Sequence, residues 1–580
     1  MEIRNNCPNE SHLLRRKPDA GKNETEKADR HINKNLTTTV QEGENDTQRT
    51  LNLGILKDLF VSDLPVSIKN DTVILVLLTR ILALVGWTGA VLYSTYHVFL
   101  ACEKWLEWHG DPVMNPSVFS RLLNRGKDNT DYEWEMFSYI YVARLGFWYA
   151  VYAIMSRTVQ IAFPKNWPFV STGLSFIMFW ELTGFLPTVF LLLQPVIYWI
   201  LAQARSKLLL WVATILFIYH LNSPFIQVFT PTNTLSEYFY IITAAWNYAR
   251  CISFCYDMWE KIGYEKEGLV CLQNGVRYCF YLPLAISGPL VTYESFEKNI
   301  ILQDVEVLKQ RNLASDITNL AKKMLRIGFI ALLIELMLHF LYFRSLSMTT
   351  NSHRHLSLWA ICGTVYWLGQ FFALKYKVLY GVPTCVAEFD GMEMPPLPRC
   401  PSYLHRYSVL WRDFDRGLYR FLVNYIYLPT LKFIRDTDKS NVIPSDVKKL
   451  IASFMSFVYV YIWHSLSFDV FVWAALNFLG ITIERIGSAI KREVDKRTPN
   501  GPNRQFLWDF AVEPFVTVPL AAMSILNSSI FCGSMESAIS FSKVLWHKRQ
   551  DSYVSCFLYC FTHTAVAYRI WKYRKAKKDA

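Results

Sequence analysis

Two ionisable residues, Asp415 and His464, stand 49 positions apart beside apolar and aromatic runs long enough to enter a bilayer. His464 closes the run SFMSFVYVYIWH, and a neutral imidazole can take a proton near neutral pH, the work of a general base. Asp415 ends Trp411-Arg-Asp-Phe-Asp415 at the entry to a second apolar run. Buried in hydrocarbon, either group costs several kcal/mol unless it faces a polar interior, so each marks a candidate site. Each also has a structural reading: His464 as a hydrogen-bonded histidine in a helix bundle, Asp415 as a carboxylate at a helix N-terminus, favoured by the helix dipole and by Arg412 or Arg416. For Asp415 the local residues favour the structural reading. The spacing leaves room for one span and its return, so the two can meet across a helix pair.

The elements that must hold them are legible in composition. Apolar residues make up 52% of the 580 and aromatics 16%, gathered in long blocks with charges between them. Blocks of about 20 apolar residues match a bilayer core. Only helices and closed barrels satisfy the backbone in lipid, and barrel-type alternation is missing, so the expected class is an all-α polytopic membrane protein. The net charge of +12 is spread over the N-terminal arm, loops such as Lys322-Lys323-Arg326 and the tail, which fits basic loops beside spans rather than a nucleic-acid face. The twelve cysteines form neither zinc-type pairs nor a dense disulfide framework and read as reduced, buried thiols.

Residues 1–71 read as a disordered polar arm, 72–571 as the membrane domain and 572–580 as a basic tail. The arm has no signal-peptide pattern; its sequons would need a lumenal side, whereas its Lys and Arg content favours the cytoplasm. The basic flank of the last span puts the C-terminus there too. The ending Lys577-Lys-Asp-Ala580 hints at early secretory retention, although a stop-transfer flank explains it equally. Pro168, Pro187 and Pro195 are expected to break the block at 168–203. Short and Pro-interrupted blocks predict re-entrant segments within about ten to twelve membrane segments.

Several strings in fixed order resemble the membrane-bound O-acyltransferase family and, within it, the Hedgehog acyltransferases. Lys127-Asp-Asn-Thr-Asp-Tyr-Glu-Trp134 resembles a KDxTDFEW loop, and Tyr281-Leu-Pro-Leu-Ala-Ile-Ser-Gly-Pro289 a Y-x-P…GP segment. Leu379-Tyr-Gly-Val-Pro383, Asp390-Gly391 and Pro395-Pro-Leu-Pro-Arg-Cys400 are similar to LFGVP…DG…PPxLPRC. Trp411 to Asp415, Trp463-His464 and Trp473-Ala-Ala-Leu-Asn477-Phe-Leu-Gly480 follow. The likeness covers about 73–571. Three departures stand out: the long arm, the lysine-rich tail, and an interval between Asp415 and His464 that carries Arg435-Asp-Thr-Asp-Lys-Ser-Asn441 where Gly-Gly is usual.

The resemblance implies transfer of palmitate from palmitoyl-CoA to the N-terminal cysteine amine of a secreted, Hedgehog-type protein. The setting would be the endoplasmic reticulum membrane, with the Golgi as second candidate and no nucleic acid involved. It implies His464 as base, Asp415 as its orienting or relaying partner, Trp411 as the gate between donor channel and acceptor cavity, and Arg412 and Asn477 as further substrate contacts. Arg412 could meet coenzyme A phosphates or the Asp415 carboxylate. Cys400 would ligate the iron of a structural haem b, a role thiolates can fill. On residues alone, Trp411 reads first as a core or interfacial anchor, and Cys400 as a free or S-acylated thiol. The alternatives are a family member acylating a lysophospholipid, sterol or serine hydroxyl, a non-catalytic paralogue, or a transporter. A transporter would show two matching halves with broken helices, and no such duplication is seen.

Overall fold

A computed structural model describes residues 70–109, 118–140, 144–221, 230–231, 233–259, 268–303, 310–403, 406–497, 512–547 and 560–568. The arm with its sequons and the basic tail lie outside the described residues. Every regular element described is helical, as the apolar blocks require. In chain order the helices used below are α1 (Asn70–His109), α2 (Tyr132–Ile140), α3 (Gly146–Ala162), α4 (Trp167–Thr183), α5 (Phe185–Ala202), α6 (Lys207–His220), α7 (Thr234–Trp259), α8 (Gly268–Cys279) and α9 (Leu282–Ala285). Then come α10 (Leu313–Leu338), α11 (Leu358–Phe389), α12 (Tyr407–Phe414), α13 (Arg416–Leu422), α14 (Leu428–Thr437), α15 (Ser445–His464), α16 (Phe468–Arg497), α17 (Glu513–Cys532) and α18 (Met535–His547).

Three described stretches are long and apolar enough to cross a membrane by themselves: Ile81–His109, Phe185–Ala202 and Phe468–Arg497. Helix α7 is more polar because much of it faces protein. Thus α7 buries Thr243, Asn247, Arg250 and Ser253 among its aromatics. Pro168 sits in the first turn of α4, where its missing N–H costs nothing. The block breaks at Gly184, whose φ of +93° is open to glycine and ends α4. Pro187 then falls in the first turn of α5 and Pro195 lies within that helix, so neither divides the block as expected.

The hub is α11, 32 residues long, packed on α1, α10 and α17. Small residues allow the close approach. A Cβ at Gly363 would lie 2.6 Å from Ser94 O of α1, and one at Gly381 would lie 2.7 Å from Ile327 Cδ1 of α10. Partway along, Lys375 is answered by Asp131 at 2.9 Å and Glu133 at 2.8 Å, which fixes α2 against α11. At its end, Asp390 accepts from Tyr152 and Tyr281 hydroxyls at 2.8 Å each and from Ser156 Oγ at 2.7 Å, gathering α3 and the Tyr281 turn. The remaining layer is an antiparallel run of α15, α16 and α17. Described cysteines are all free thiols.

These contacts predict opposite outcomes for two glycines of one helix. Gly363→Ala should cost about 1–3 kcal/mol through the clash with the α1 backbone. Gly369→Ala, with nothing within 4 Å of its added carbon, should gain about 0.5–1 kcal/mol. Thermal unfolding of the two purified variants, read side by side, checks both signs.

Candidate active site

Two motif segments and a helix cap build one side of the site. Gly288 takes φ +121°, and a Cβ there would lie 3.0 Å from Leu284 and 3.3 Å from Pro383, so the 281–289 turn seats against the Tyr380–Pro383 stretch of α11. The next residues, Pro289 and Leu290, lie under the first turn of α13, where a Cβ on Gly417 would come within 2.6 Å of Leu290 N. Asp415 is the N-cap of α13 and accepts from Leu418 N at 2.8 Å. Its other oxygen accepts from the Tyr380 hydroxyl at 3.0 Å. Arg412 donates from Nε to Asp413 Oδ1 at 3.0 Å rather than reaching Asp415, and Arg399 and Arg416 crowd the same Asp413.

His464 is the last residue of α15. It lines a cavity of about 640 Å³, within the span of roughly 300–1,000 Å³ common for small-ligand sites. Side chains such as Ile218 of α6, Ile242 and Trp246 of α7, and Ile286 make most of the wall apolar; Glu133, Tyr376, Tyr380 and Ser287 supply its polar points. The imidazole is exposed, and its ring is approached edge to face by Trp463, Trp473 and Phe531, with centroids at 4.9, 5.4 and 5.4 Å. Its nitrogens have no hydrogen-bond partner among the described residues. It is therefore not the satisfied structural histidine that a helix bundle could have held.

The aromatic ring leads on to Trp411. Trp473 lies 5.7 Å from Trp411, and the Trp411 Nε1–H donates to Asn477 Oδ1 at 2.9 Å. Asn477 is buried and donates in turn to Trp473 O at 2.8 Å. His464, Trp411 and Asn477 thus share one aromatic wall, and Asp415 is joined to the cavity through Tyr380. Cys400 stands apart, half-buried, its thiol donating to Gln370 Oε1 at 3.0 Å. Among the described residues no three His, Cys, Asp or Glu side chains could hold a bare metal ion. A haem iron could take a single thiolate from the protein, which the half-buried Cys400 would supply by giving up Gln370.

Sequence reasoning missed Tyr380 and Glu133 as cavity residues, although both lie inside quoted strings. Their signal was a polar atom in a motif otherwise read as packing. It also missed the role of the long interval before α15. There Asp438 accepts from Val442 N and Ile443 N at 3.0 Å each and pairs with Lys448 at 2.8 Å, a closed turn that connects α14 to α15. The Lys448 ammonium, with those amides, holds the Asp438 carboxyl below its ordinary range.

Among the described residues the fold is a helical membrane assembly that places a histidine in the wall of a largely apolar cavity. Residues 268–521 match the sequence model of the membrane-bound O-acyltransferase family, a window that holds Cys400, Trp411, Arg412, Asp415, His464 and Asn477. The mouse protein-cysteine N-palmitoyltransferase HHAT is 25% identical over 508 residues, covering 84% of this chain and 97% of that protein. The Drosophila melanogaster protein-cysteine N-palmitoyltransferase Rasp is 28% identical over 300 residues, 50% of this chain and 54% of Rasp. The fission-yeast membrane-bound O-acyltransferase gup1 is 25% identical over 217 residues, 37% of this chain and 33% of gup1. Residues 268–521 thus carry a membrane-bound O-acyltransferase domain.

Because Gly417 lets α13 rest on the Leu290 backbone, Gly417→Ala should push the helix back and carry the Asp415 cap with it. Acyl-transfer activity is expected to fall by about tenfold or more. Circular dichroism should show helix content retained.

Proposed function

We propose that this chain transfers palmitate from palmitoyl-CoA to the amino group of an N-terminal cysteine on a secreted protein of the Hedgehog type, at a membrane of the secretory pathway. The observation that carries the reading is His464, which has no hydrogen-bond partner among the described residues and lines an apolar cavity. Likeness to two proteins named protein-cysteine N-palmitoyltransferases supports the acceptor class.

The chemistry asks little of the protein beyond placement and a base. The amine nitrogen attacks the thioester carbonyl, a C–N bond forms, the C–S bond breaks and coenzyme A leaves as thiolate. The amine's surplus proton passes to His464 and then to the thiolate. An α-amine has a reference pKa near about 8, so a modest base frees its lone pair. Asp415, held on both oxygens, is assigned to orientation or relay rather than to proton abstraction. Trp411, fixed by Asn477, is assigned as the gate between donor and acceptor sides, and Arg412, one of three arginines around Asp413, as a contact for coenzyme A phosphates. Holding both reactants in one cavity supplies much of the remaining acceleration. Cys400 is assigned to ligate a haem b that would serve structure; the intact PPLPRC string supports it.

His464→Ala should reduce palmitoylation of a peptide with a free N-terminal cysteine by about 10²-fold or more in protein that remains folded. Turnover of a lysophospholipid, sterol or serine hydroxyl by the wild type, with none of such a peptide, would shift the acceptor assignment. Cys400→Ala should purify without a haem absorption band that the wild type shows, and an unchanged band would remove that ligand.

A further inference from the structure

Tyr380 occupies the second position of Leu379-Tyr-Gly-Val-Pro383, where the resembling motif has phenylalanine. A phenyl ring would fill the space between helices without any polar atom to satisfy. The extra hydroxyl here is buried, on a residue 5% exposed, and it donates to Asp415 Oδ2 at 3.0 Å. Asp415 already caps α13 through Oδ1, so the cap does not require the phenol. The same tyrosine lines the cavity that His464 lines. Among the described residues it is the side chain that both touches Asp415 and forms part of that wall.

Its ring has little freedom. It stands edge-on to Tyr376 with centroids 5.2 Å apart and planes at 88°. The neighbouring Gly381 is pressed to Ile327, and Pro383 contacts Gly288 in the 281–289 turn. Tyr376 donates to Glu133 at 3.0 Å, so the wall on this side is anchored by α2 as well. A phenol held so firmly fixes the free lobe of the Asp415 carboxylate in one direction relative to the cavity. Losing it would leave Oδ2 to turn about the Leu418 hydrogen bond.

We propose that Tyr380 is a positioning residue for acyl transfer, acting through Asp415 and coupling that carboxylate to the cavity wall shared with His464. The proposal rests on the acyl-transfer reading of the site. A residue of purely structural value would show its loss in stability. A residue that orients Asp415 would show it in turnover, and only while Asp415 is present to be oriented.

The test compares full-length wild type, Tyr380→Phe, Asp415→Asn and the double variant, with palmitoyl-CoA and a peptide bearing an N-terminal cysteine. Tyr380→Phe is expected to lower kcat about tenfold, with KM for palmitoyl-CoA within about twofold and the thermal midpoint unchanged. The double variant is expected to be no slower than Asp415→Asn alone. Wild-type kcat in Tyr380→Phe overturns the proposal, and so does a loss that multiplies onto that of Asp415→Asn. Where Asp415→Asn has no measurable turnover, the Tyr380→Phe kcat and midpoint decide between the two outcomes. A wild type inactive on the peptide counts against the proposed acceptor, and the same ratio is then read with a lysophospholipid acceptor.

Discussion

A lysine inside an apolar helix bundle has to be answered by carboxylates, and the answer to Lys375 sets the frame of the site. Asp131, just before α2, and Glu133, in its first turn, reach it, and all three are largely enclosed. A buried pair contributes little net stability compared with apolar residues of the same size, but removing one partner costs about 3–5 kcal/mol by stranding a charge. Such a contact is better at choosing among arrangements than at adding stability. Sliding α2 along α11 by a single turn would separate the charges, so the register of two elements far apart in sequence is held firmly. Glu133 and Tyr376 then arrive at the cavity together, hydrogen-bonded to one another.

The second constraint is that one carboxylate has two duties. Asp415 satisfies an amide at the start of α13, which by itself explains an aspartate there. It also receives the Tyr380 hydroxyl, which the cap does not need. The glycines around it make both possible: Gly417 admits the Leu290 backbone, and Gly288 lets the preceding turn reach Pro383. Side chains at either place would separate the cap from the cavity wall. Small residues in these motifs therefore control where a charged group sits, at a distance of several residues from it.

Much of this was legible in the order of residues. The apolar blocks implied a helical membrane chain, and the region from Gly381 to Gly480 held His464, Trp411 and Asn477 in strings that the fold does bring to one wall. Polarity within single motifs was misjudged, because whether Tyr380 or Glu133 faces a cavity depends on neighbours supplied by other helices. Proline was overvalued as a breaker and Gly184 undervalued, since Pro187 falls in a first turn that tolerates it while Gly184 takes a positive φ that ends α4. Arg412 was offered Asp415 as one of two partners, but Asp413 is adjacent in sequence and already draws Arg399 and Arg416, so the pairing follows local charge. The interval after Asp415, which looked like a departure, turns out to be closed by the Asp438–Lys448 pair.

Helix geometry also separates two functions that the motifs leave side by side. Gln370, the partner of Cys400, and Tyr380, the partner of Asp415, both belong to α11 and stand ten residues apart. At about 1.5 Å per residue this is roughly 15 Å along the axis. Lys375 lies midway between them, already committed to α2, and no hydrogen-bonded chain among the described residues runs from the Cys400 thiol to the Tyr380 hydroxyl. The Cys400 thiol is thus separated from the Tyr380–Asp415 pair by a helix segment with no such polar link between them. The link it does have is through its neighbour: Arg399 donates to Asp413 at 2.7 Å and so ties the residue before Cys400 to α12, the helix bearing Trp411.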